Sequence, residues 1–169
     1  MKKMKRLVAV LLADIMALAM LTACGGTPVT RDKALEKSVA GWTVELGKSA
    51  KLDLTEDATL TAVSDKCLPA VVKLWDAMIA KDQKAYLAAQ TELANNLKAA
   101  ANGKKVAPVD VLFLKGTEAT KENLAAVIQR DAVRLQTILE QFGVNNPTKF
   151  GVTVTKQENY TLILFTVSE

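Results

Sequence analysis

The chain has 169 residues, of which 22 are Lys or Arg, 18 are Asp or Glu and none is histidine. The absence of histidine excludes Ser-His-Asp and Cys-His catalysis, imidazole general bases, and zinc or haem bound through histidine. The formal net charge of +4 is concentrated in the first 23 residues, which carry four basic side chains and one acid. Because the remainder is nearly neutral and has no cluster of Lys and Arg with interleaved aromatic residues, we expect no nucleic-acid binding.

The start of the chain has the layout of an export signal. A basic stretch at residues 2–6 precedes an apolar run over residues 7–21, and the small residue Ala23 stands before Cys24, which is the order of a secretory signal peptide. The sequence LTAC at residues 21–24, followed by two glycines, resembles the lipobox of bacterial lipoproteins. The resemblance implies cleavage before Cys24 and a diacylglyceryl group on its sulfur. The protein would then be lipid-anchored on an extracytoplasmic face, at the cell surface or in the periplasm.

Two other interpretations of this segment remain: an ordinary cleaved signal and an uncleaved membrane anchor. The apolar stretch over residues 7–23 is at the lower end of the length that spans a bilayer. It also carries Asp14 near its middle, and an acid there costs roughly 2.5–3.5 kcal/mol on insertion scales. A permanent span is therefore disfavoured. The two acyl chains of a diacylglyceryl group are sufficient for stable anchoring, whereas one chain binds only marginally.

The chain is divided accordingly into three parts. Residues 1–23 are predicted to be a lipoprotein signal peptide, residues 24–40 a lipidated cysteine and spacer, and residues 41–169 a single α+β domain. Within the spacer, residues 30–40 have weak helical periodicity. They either dock on the domain as one short helix or remain a linker.

The second cysteine, Cys67, is predicted to be a structural residue. If Cys24 carries lipid, Cys67 has no partner within the chain, so we expect no intrachain disulfide. A lone cysteine is most often a small buried apolar residue. The alternative is a reactive thiol, because Lys66 and a nearby helix start would lower its pKa.

Residues 41–64 have the alternating pattern of β-strands. Apolar and polar residues alternate over residues 42–46, as in a half-buried strand. Residues 51–54 and 58–63 are predicted as a second and a third strand. The turn between them is acidic, but it lacks the oxygen ligands and the glycine of a calcium loop. The turn is therefore predicted to be exposed to solvent, and no metal or cofactor is expected.

Two helices are predicted after these strands. The first opens at Ser64 or Asp65 with Pro69 in its first turns, where proline is tolerated. It is apolar on most sides and should be the central helix of the domain. The second is capped by Asp82 and runs to about Ala101, before an Asn-Gly terminator. Their short connection predicts an antiparallel or sharply bent pair.

The last third of the chain is predicted to alternate between strands and a helix. Residues 109–115 are apolar on both faces over most of their length, which is typical of an interior strand. Thr120 caps the longest predicted helix, at residues 121–142. Residues 150–155 and 160–167 form a C-terminal β-hairpin with its last strand interior. The elements together predict an α+β fold, with three helices packed on one face of a mostly antiparallel sheet of about 4–6 strands.

Few residues are candidates for a polar or ligand site. Asp131 lies where an apolar residue was expected on the longest predicted helix, and Arg130 and Arg134 flank it. Asp131 and Arg134 are either part of a polar site under this helix or a simple ion pair three residues apart. Trp75 and Met78 could line a ligand pocket, but their helical spacing favours the core.

Three hypotheses for function remain open. The first is a non-enzymatic envelope lipoprotein that binds membrane lipid through acylated Cys24 and an envelope protein or ligand through its domain. The second is an envelope enzyme that uses carboxylates, with Asp131, Asp110 or Glu122 as candidates. A glycosidase-type mechanism would need two of them at a defined separation. The third is a small-ligand carrier with a cavity beneath the helices.

Overall fold

The structure is a computed structural model that describes residues 29–169. The predicted signal segment and Cys24 lie outside these residues. No helix within residues 29–169 combines the length and the hydrophobicity that a bilayer crossing requires. Five helices are described: α1 (Lys33–Ser49), α2 (Ala58–Ile79), α3 (Gln83–Ala101), α4 (Lys121–Arg130) and α5 (Ala132–Gln141). Four strands are described: β1 (Thr55–Glu56), β2 (Ala107–Leu114), β3 (Lys149–Lys156) and β4 (Tyr160–Ser168).

The four strands form one mixed sheet with the order β1-β3-β4-β2. The C-terminal hairpin β3–β4 and the pair β2–β4 are antiparallel, while β1 pairs in parallel with the first residues of β3. The predicted C-terminal hairpin and the mixture of helices and strands are thus confirmed. The last strand, β4, is interior as predicted.

Strand β2 is at the edge of the sheet, so the prediction of an interior position is wrong. Its side chains are apolar in both directions because helices cover both faces of the sheet. Val109, Val111 and Phe113 pack into one core, and Leu112 packs against the other. The sequence pattern of a strand reports the burial of its two faces. It does not report whether a neighbouring strand pairs with its backbone.

Helices cover both faces of the sheet, where the sequence predicted helices on one face only. Helices α2 and α3 pack on the face that contains Tyr160, Leu162 and Leu164. Helices α1, α4 and α5 pack on the opposite face, against Ile163 and Phe165 among others. Alternate residues of β4 therefore enter two separate cores. The helix count was underestimated because α1 was assigned to strands and the predicted helix over residues 121–142 is divided in two.

Helix α1 replaces the strand predicted at residues 42–46 and includes residues 33–40 of the segment predicted as either a docked helix or a linker. Leu35, Val39, Trp42 and Leu46 follow a helical spacing and contact one core, and this stripe outweighs the local alternation. Asp32 caps the helix, because its carboxylate accepts a hydrogen bond of 2.9 Å from the backbone N–H of Leu35. The predicted boundary between residues 40 and 41 falls within α1.

Helix α2 begins at Ala58, so the strand predicted at residues 58–63 is wrong. The strand predicted at residues 51–54 is also absent, and only the short β1 follows it. Asp57 caps α2 by accepting a 2.7 Å hydrogen bond from the N–H of Thr59. Pro69 therefore lies in the helix interior, where its missing N–H removes one helical hydrogen bond. The packing of α2 against the sheet compensates for this loss.

The remaining helix termini agree closely with the sequence. Asp82 caps α3 through a 3.0 Å bond from the N–H of Ala85, and Asn102 ends the helix in the left-handed conformation. Thr120 caps α4 by accepting a 3.2 Å bond from the N–H of Asn123. The predicted helix over residues 121–142 is wrong in one respect: it is divided at Asp131 into α4 and α5.

Candidate functional site

Four of the residues proposed from sequence lie together in one cleft beside β2. The cleft has a volume of about 600 Å³ and lies between the C-terminal half of β2, α4 and the start of α5. Asp110, Asp131 and Arg134 line it, and so does Trp75 from α2. The third carboxylate candidate, Glu122, is exposed in the first turn of α4 and does not line this cleft.

A chain of polar contacts connects these side chains across the edge of the sheet. Trp75 Nε1 donates a 3.0 Å hydrogen bond to Asp110 Oδ2. Arg134 Nη2 donates a 3.0 Å bond to the main-chain carbonyl of Asp110, and Arg134 Nη1 lies 3.6 Å from Asp110 Oδ1. Asp131 Oδ2 is 3.7 Å from Arg134 Nη2, and Arg130 Nε donates a 2.7 Å bond to Asp131 Oδ1. Arg134 thus lies between the two carboxylates.

The charges in the cleft are balanced and fixed. The hydrogen bond from Arg130 holds the pKa of Asp131 below its ordinary value, although partial burial opposes this effect. Asp131 is therefore ionised at neutral pH, and its oxygens are occupied by two guanidinium groups. An acid in this state is poorly suited to donate a proton in catalysis. The lining contains two arginines and two aspartates, so it does not select strongly for a charged ligand.

The cleft borders backbone groups of β2 that no strand uses. Lys115 donates its N–H to Asn159 on the β4 side, while Asp110 accepts from Arg134 on the opposite side. Because backbone groups alternate in direction along an antiparallel strand, the N–H and C=O of Leu112 point away from β4. Within residues 29–169, no strand pairs with this outer side of β2. Leu112 lines the cleft together with Leu114.

At the other edge of the sheet, the two-residue β1 and local chain segments pair with part of β3. On β3, the carbonyl of Phe150 accepts from Asp57 N–H at 2.8 Å, and the carbonyl of Val154 accepts from Asp32 N–H at 2.8 Å. The N–H of Val154 donates to the Glu36 carboxylate at 3.1 Å. The two edges therefore differ: local chain segments pair with Phe150 and Val154 of β3, whereas Leu112 in the middle of β2 has no such partner among the described residues.

Cys67 and Met78 fall outside this cleft. Cys67 is fully buried between α2 and the sheet, and its burial raises the pKa of the thiol to about 11. The lowered pKa that the reactive-thiol alternative requires is not found. Met78 is exposed, so its assignment to the core is wrong, whereas Trp75 both packs against the core and lines the cleft. Among the described residues, no group of three or more Cys, Asp and Glu side chains could hold a metal ion.

A second, more apolar cleft lies at the opposite end of β2. It has a volume of about 520 Å³ and is lined mainly by apolar side chains of α3, by Pro108 and by Phe142. Lys98, Lys104 and Lys105 also line it, and no acid does. The sequence did not predict this cleft, because its walls come from segments distant in the chain.

Comparison of the chain with protein-family models, with curated proteins and with solved structures finds no match.

Proposed function

We propose that this protein is a lipid-anchored envelope lipoprotein whose domain is a non-enzymatic binding module, and that it binds an extended segment of a partner envelope protein. The lipobox-type segment before Cys24 supports the anchor. The observation that carries the binding function is the open outer edge of β2 beside a cleft with apolar walls. An extended peptide can add to such an edge as a further strand, with main-chain hydrogen bonds giving affinity.

The open stretch of β2 is short and is centred on Leu112. Pro108 offers no N–H, Arg134 occupies the carbonyl of Asp110, and the N–H of Thr117 occupies the carbonyl of Leu114 at 2.9 Å. Proline and a covering cation are features by which proteins limit pairing at exposed edges. We therefore expect a short paired segment whose two central hydrogen bonds are made with Leu112.

The side chains around this stretch indicate what the partner segment presents. In an extended peptide, alternate side chains point to opposite faces. One set would lie toward Trp75 and the other toward Ala126 and Val127 on α4. Because the charges of the cleft are balanced, we expect apolar partner side chains and a weak dependence of affinity on salt.

The substitution Leu112→Pro tests strand addition. The N–H of Leu112 points outward, so proline removes a donor to the partner without removing a bond to β4, as is tolerated on edge strands. In the mature lipidated protein, a photo-crosslinker at Ala126 should form an adduct with an envelope protein. We expect Leu112→Pro to reduce this adduct by about tenfold, the effect of a lost hydrogen bond worth roughly 1.4 kcal/mol.

The matched control is Leu112→Val, which keeps the N–H and should keep the adduct. If Leu112→Pro and Leu112→Val are both folded and form equal amounts of the crosslinked adduct, strand addition is contradicted. The absence of any adduct from position 126 would contradict a protein partner at this cleft. The alternative function is then that of a small-ligand carrier. The second, apolar cleft, which Lys98, Lys104 and Lys105 also line, suits an anionic amphiphile.

A carboxylate-based enzyme is the weaker alternative. The structure brings Asp110 and Asp131 into one cleft, which this alternative requires. However, Arg134 lies between them and Arg130 keeps Asp131 ionised. A general acid would need a raised pKa instead.

A further inference from the structure

The direction in which the chain enters the domain indicates which end of the domain faces the membrane. Arg31 forms an antiparallel bridge with Thr155 of β3. Asp32 donates its N–H to the carbonyl of Val154 at 2.8 Å, and Thr155 Oγ1 donates to the carbonyl of Thr30 at 2.9 Å. Because this segment runs antiparallel to β3, Val29 and Thr30 lie at the end of the sheet where β3 turns into β4. We call this the anchor end.

The tether to the lipid is short. Val29 is five residues after Cys24, and five residues extend over at most about 18 Å. Strand β3 alone has 8 residues and is roughly 26 Å long at 3.3 Å per residue. A lipid on Cys24 would therefore hold the anchor end close to the bilayer, and the opposite end could not take its place.

The connection between α2 and α3 lies at the anchor end. Tyr160, the first residue of β4, donates from its hydroxyl to Asp76 Oδ1 at 2.8 Å, near the end of α2. The start of α2 lies at the other end of the sheet, where Thr166 Oγ1 donates to the carbonyl of Leu60 at 2.7 Å. Helix α2 therefore runs toward the anchor end, and α3 returns from it. We call residues 78–87 the hairpin tip.

The hairpin tip exposes apolar side chains. Met78 is 42% exposed, Ile79 47% and Leu87 54%, and Met78 and Leu87 border one shallow depression. Leu114, at the anchor end of β2, is also exposed. Four of the seven exposed large hydrophobic residues in the described chain are thus at the anchor end; the others are Leu52, Val133 and Phe142.

The charges of the hairpin tip are compatible with a membrane surface. Lys81 and Lys84 carry the positive charges of this segment, and cations near a bilayer are attracted to anionic lipids. Its single acid, Asp82, caps α3 through the N–H of Ala85. The neighbouring Asp76 accepts a hydrogen bond from Tyr160. Both carboxylates near the apolar residues are thus engaged within the domain.

We propose that the hairpin tip inserts into the headgroup region of the bilayer that holds Cys24, with Met78, Ile79 and Leu87 in contact with lipid. This inference rests on the lipid anchor proposed above. The acyl chains would hold the domain at the membrane, and the apolar tip would fix its orientation, since exposed apolar side chains are buried favourably at that interface. The cleft beside Leu112 would then open parallel to the membrane surface.

The test places a fluorophore at the tip of the intact lipidated protein. Leu87→Cys is labelled with an environment-sensitive dye, and the protein is reconstituted in vesicles of phosphatidylcholine and phosphatidylglycerol. The matched control is Leu52→Cys, which is exposed to 42% at the opposite end of the sheet. Cys67 is buried and Cys24 carries lipid, so the introduced thiol is the one that reacts.

We expect the dye at position 87 to be quenched several-fold more by lipid-borne nitroxides, and several-fold less by aqueous iodide, than the dye at position 52. Mass spectrometry of the same sample shows whether Cys24 carries lipid. If it does, equal iodide quenching at both positions would overturn the proposed orientation and leave the lipid anchor in place. A chain without lipid on Cys24 would overturn both proposals. The two failures are therefore distinguishable in one sample.

Discussion

Replacement of Gly151 with alanine is expected to destabilise the domain by more than about 3 kcal/mol, at the upper end of the cost of overpacking. A Cβ at this position would lie 2.1 Å from the carbonyl carbon of Leu60 and 2.1 Å from the nitrogen of Thr61. Both atoms are backbone of α2, so no side-chain rotation relieves the overlap. Either the first turn of α2 moves away from β3 or the strand is displaced.

The close approach at Gly151 is connected to the buried polar contacts of this interface. Ser64 Oγ donates a 2.8 Å hydrogen bond to the carbonyl of Leu164, and it lies 2.9 Å from Thr153 Oγ1. Thr166 Oγ1 reaches the carbonyl of Leu60 at 2.7 Å. Displacement of α2 would lengthen these bonds and leave buried hydroxyls without partners, which adds to the steric cost.

The matched control is Gly41→Ala in α1. An added Cβ there meets no atom within 4 Å, and alanine favours a helix interior by about 1 kcal/mol over glycine. Urea denaturation should therefore show a higher midpoint for Gly41→Ala and a much lower one, or no cooperative transition, for Gly151→Ala. A Gly151→Ala protein as stable as the wild type would contradict the packing of α2 on β3.

Replacement of Glu36 with glutamine is expected to cost about 2–4 kcal/mol at neutral pH, because it breaks a largely buried ion pair. Glu36 is 7% exposed. Its carboxylate accepts bonds of 2.6 and 2.7 Å from Arg31 and one of 3.1 Å from the N–H of Val154. The pair helps to hold the entering chain against the edge of β3, together with the bonds that join Asp32 to Val154 and Thr30 to Thr155.

The stability contributed by Glu36 depends on pH. Burial raises the pKa of this carboxyl, but the hydrogen bonds from Arg31 and from the N–H of Val154 outweigh burial and hold the pKa below its ordinary value of 4.5. A lowered folded-state pKa gives stability that is present above the unfolded pKa and lost as the pH falls through the folded value. The difference in unfolding free energy between wild type and Glu36→Gln should therefore be constant above about pH 5 and shrink below it.

The control for this prediction is Glu45→Gln, which breaks the exposed ion pair with Lys121 between α1 and α4. Exposed pairs contribute little because water and salt screen them, so this variant should unfold close to the wild type. Denaturation at several pH values checks both variants. A Glu36→Gln protein that matches Glu45→Gln at every pH would contradict the role assigned to the buried pair.

The predictable elements of the fold are those whose signals are local. Asp82, Thr120 and Asn102 specify helix ends through their own side chains or backbone, and all three were identified from sequence. The strong apolar alternation of residues 160–167 likewise identified β4. By contrast, the alternation at residues 42–46 was misleading, because the helical stripe that includes Leu35 and Val39 begins before Gly41. The predicted boundary between residues 40 and 41 divides this stripe, although Gly41 lies in the middle of α1.

The candidate site was predictable only in part. Asp131 was identified because a carboxylate interrupted an apolar helix face, and Arg134 because it lay three residues away. The contacts of Asp110 with Arg134 and with Trp75 depend on the packing of β2 against helices on both faces of the sheet, which no local pattern encodes. The sequence predicts an interior position for β2, although its edge beside Leu112 is open. A strand that is buried on both faces has the same apolar pattern whether or not another strand pairs with its backbone.

The central claim, that the domain is held at a membrane by lipid on Cys24, is tested most directly by intact-mass measurement of the protein extracted from membranes. We expect the wild type to lack residues 1–23 and to carry the added mass of a diacylglyceryl group. The Cys24→Ala variant should carry no lipid mass. A wild-type chain of full length without modification would contradict the account.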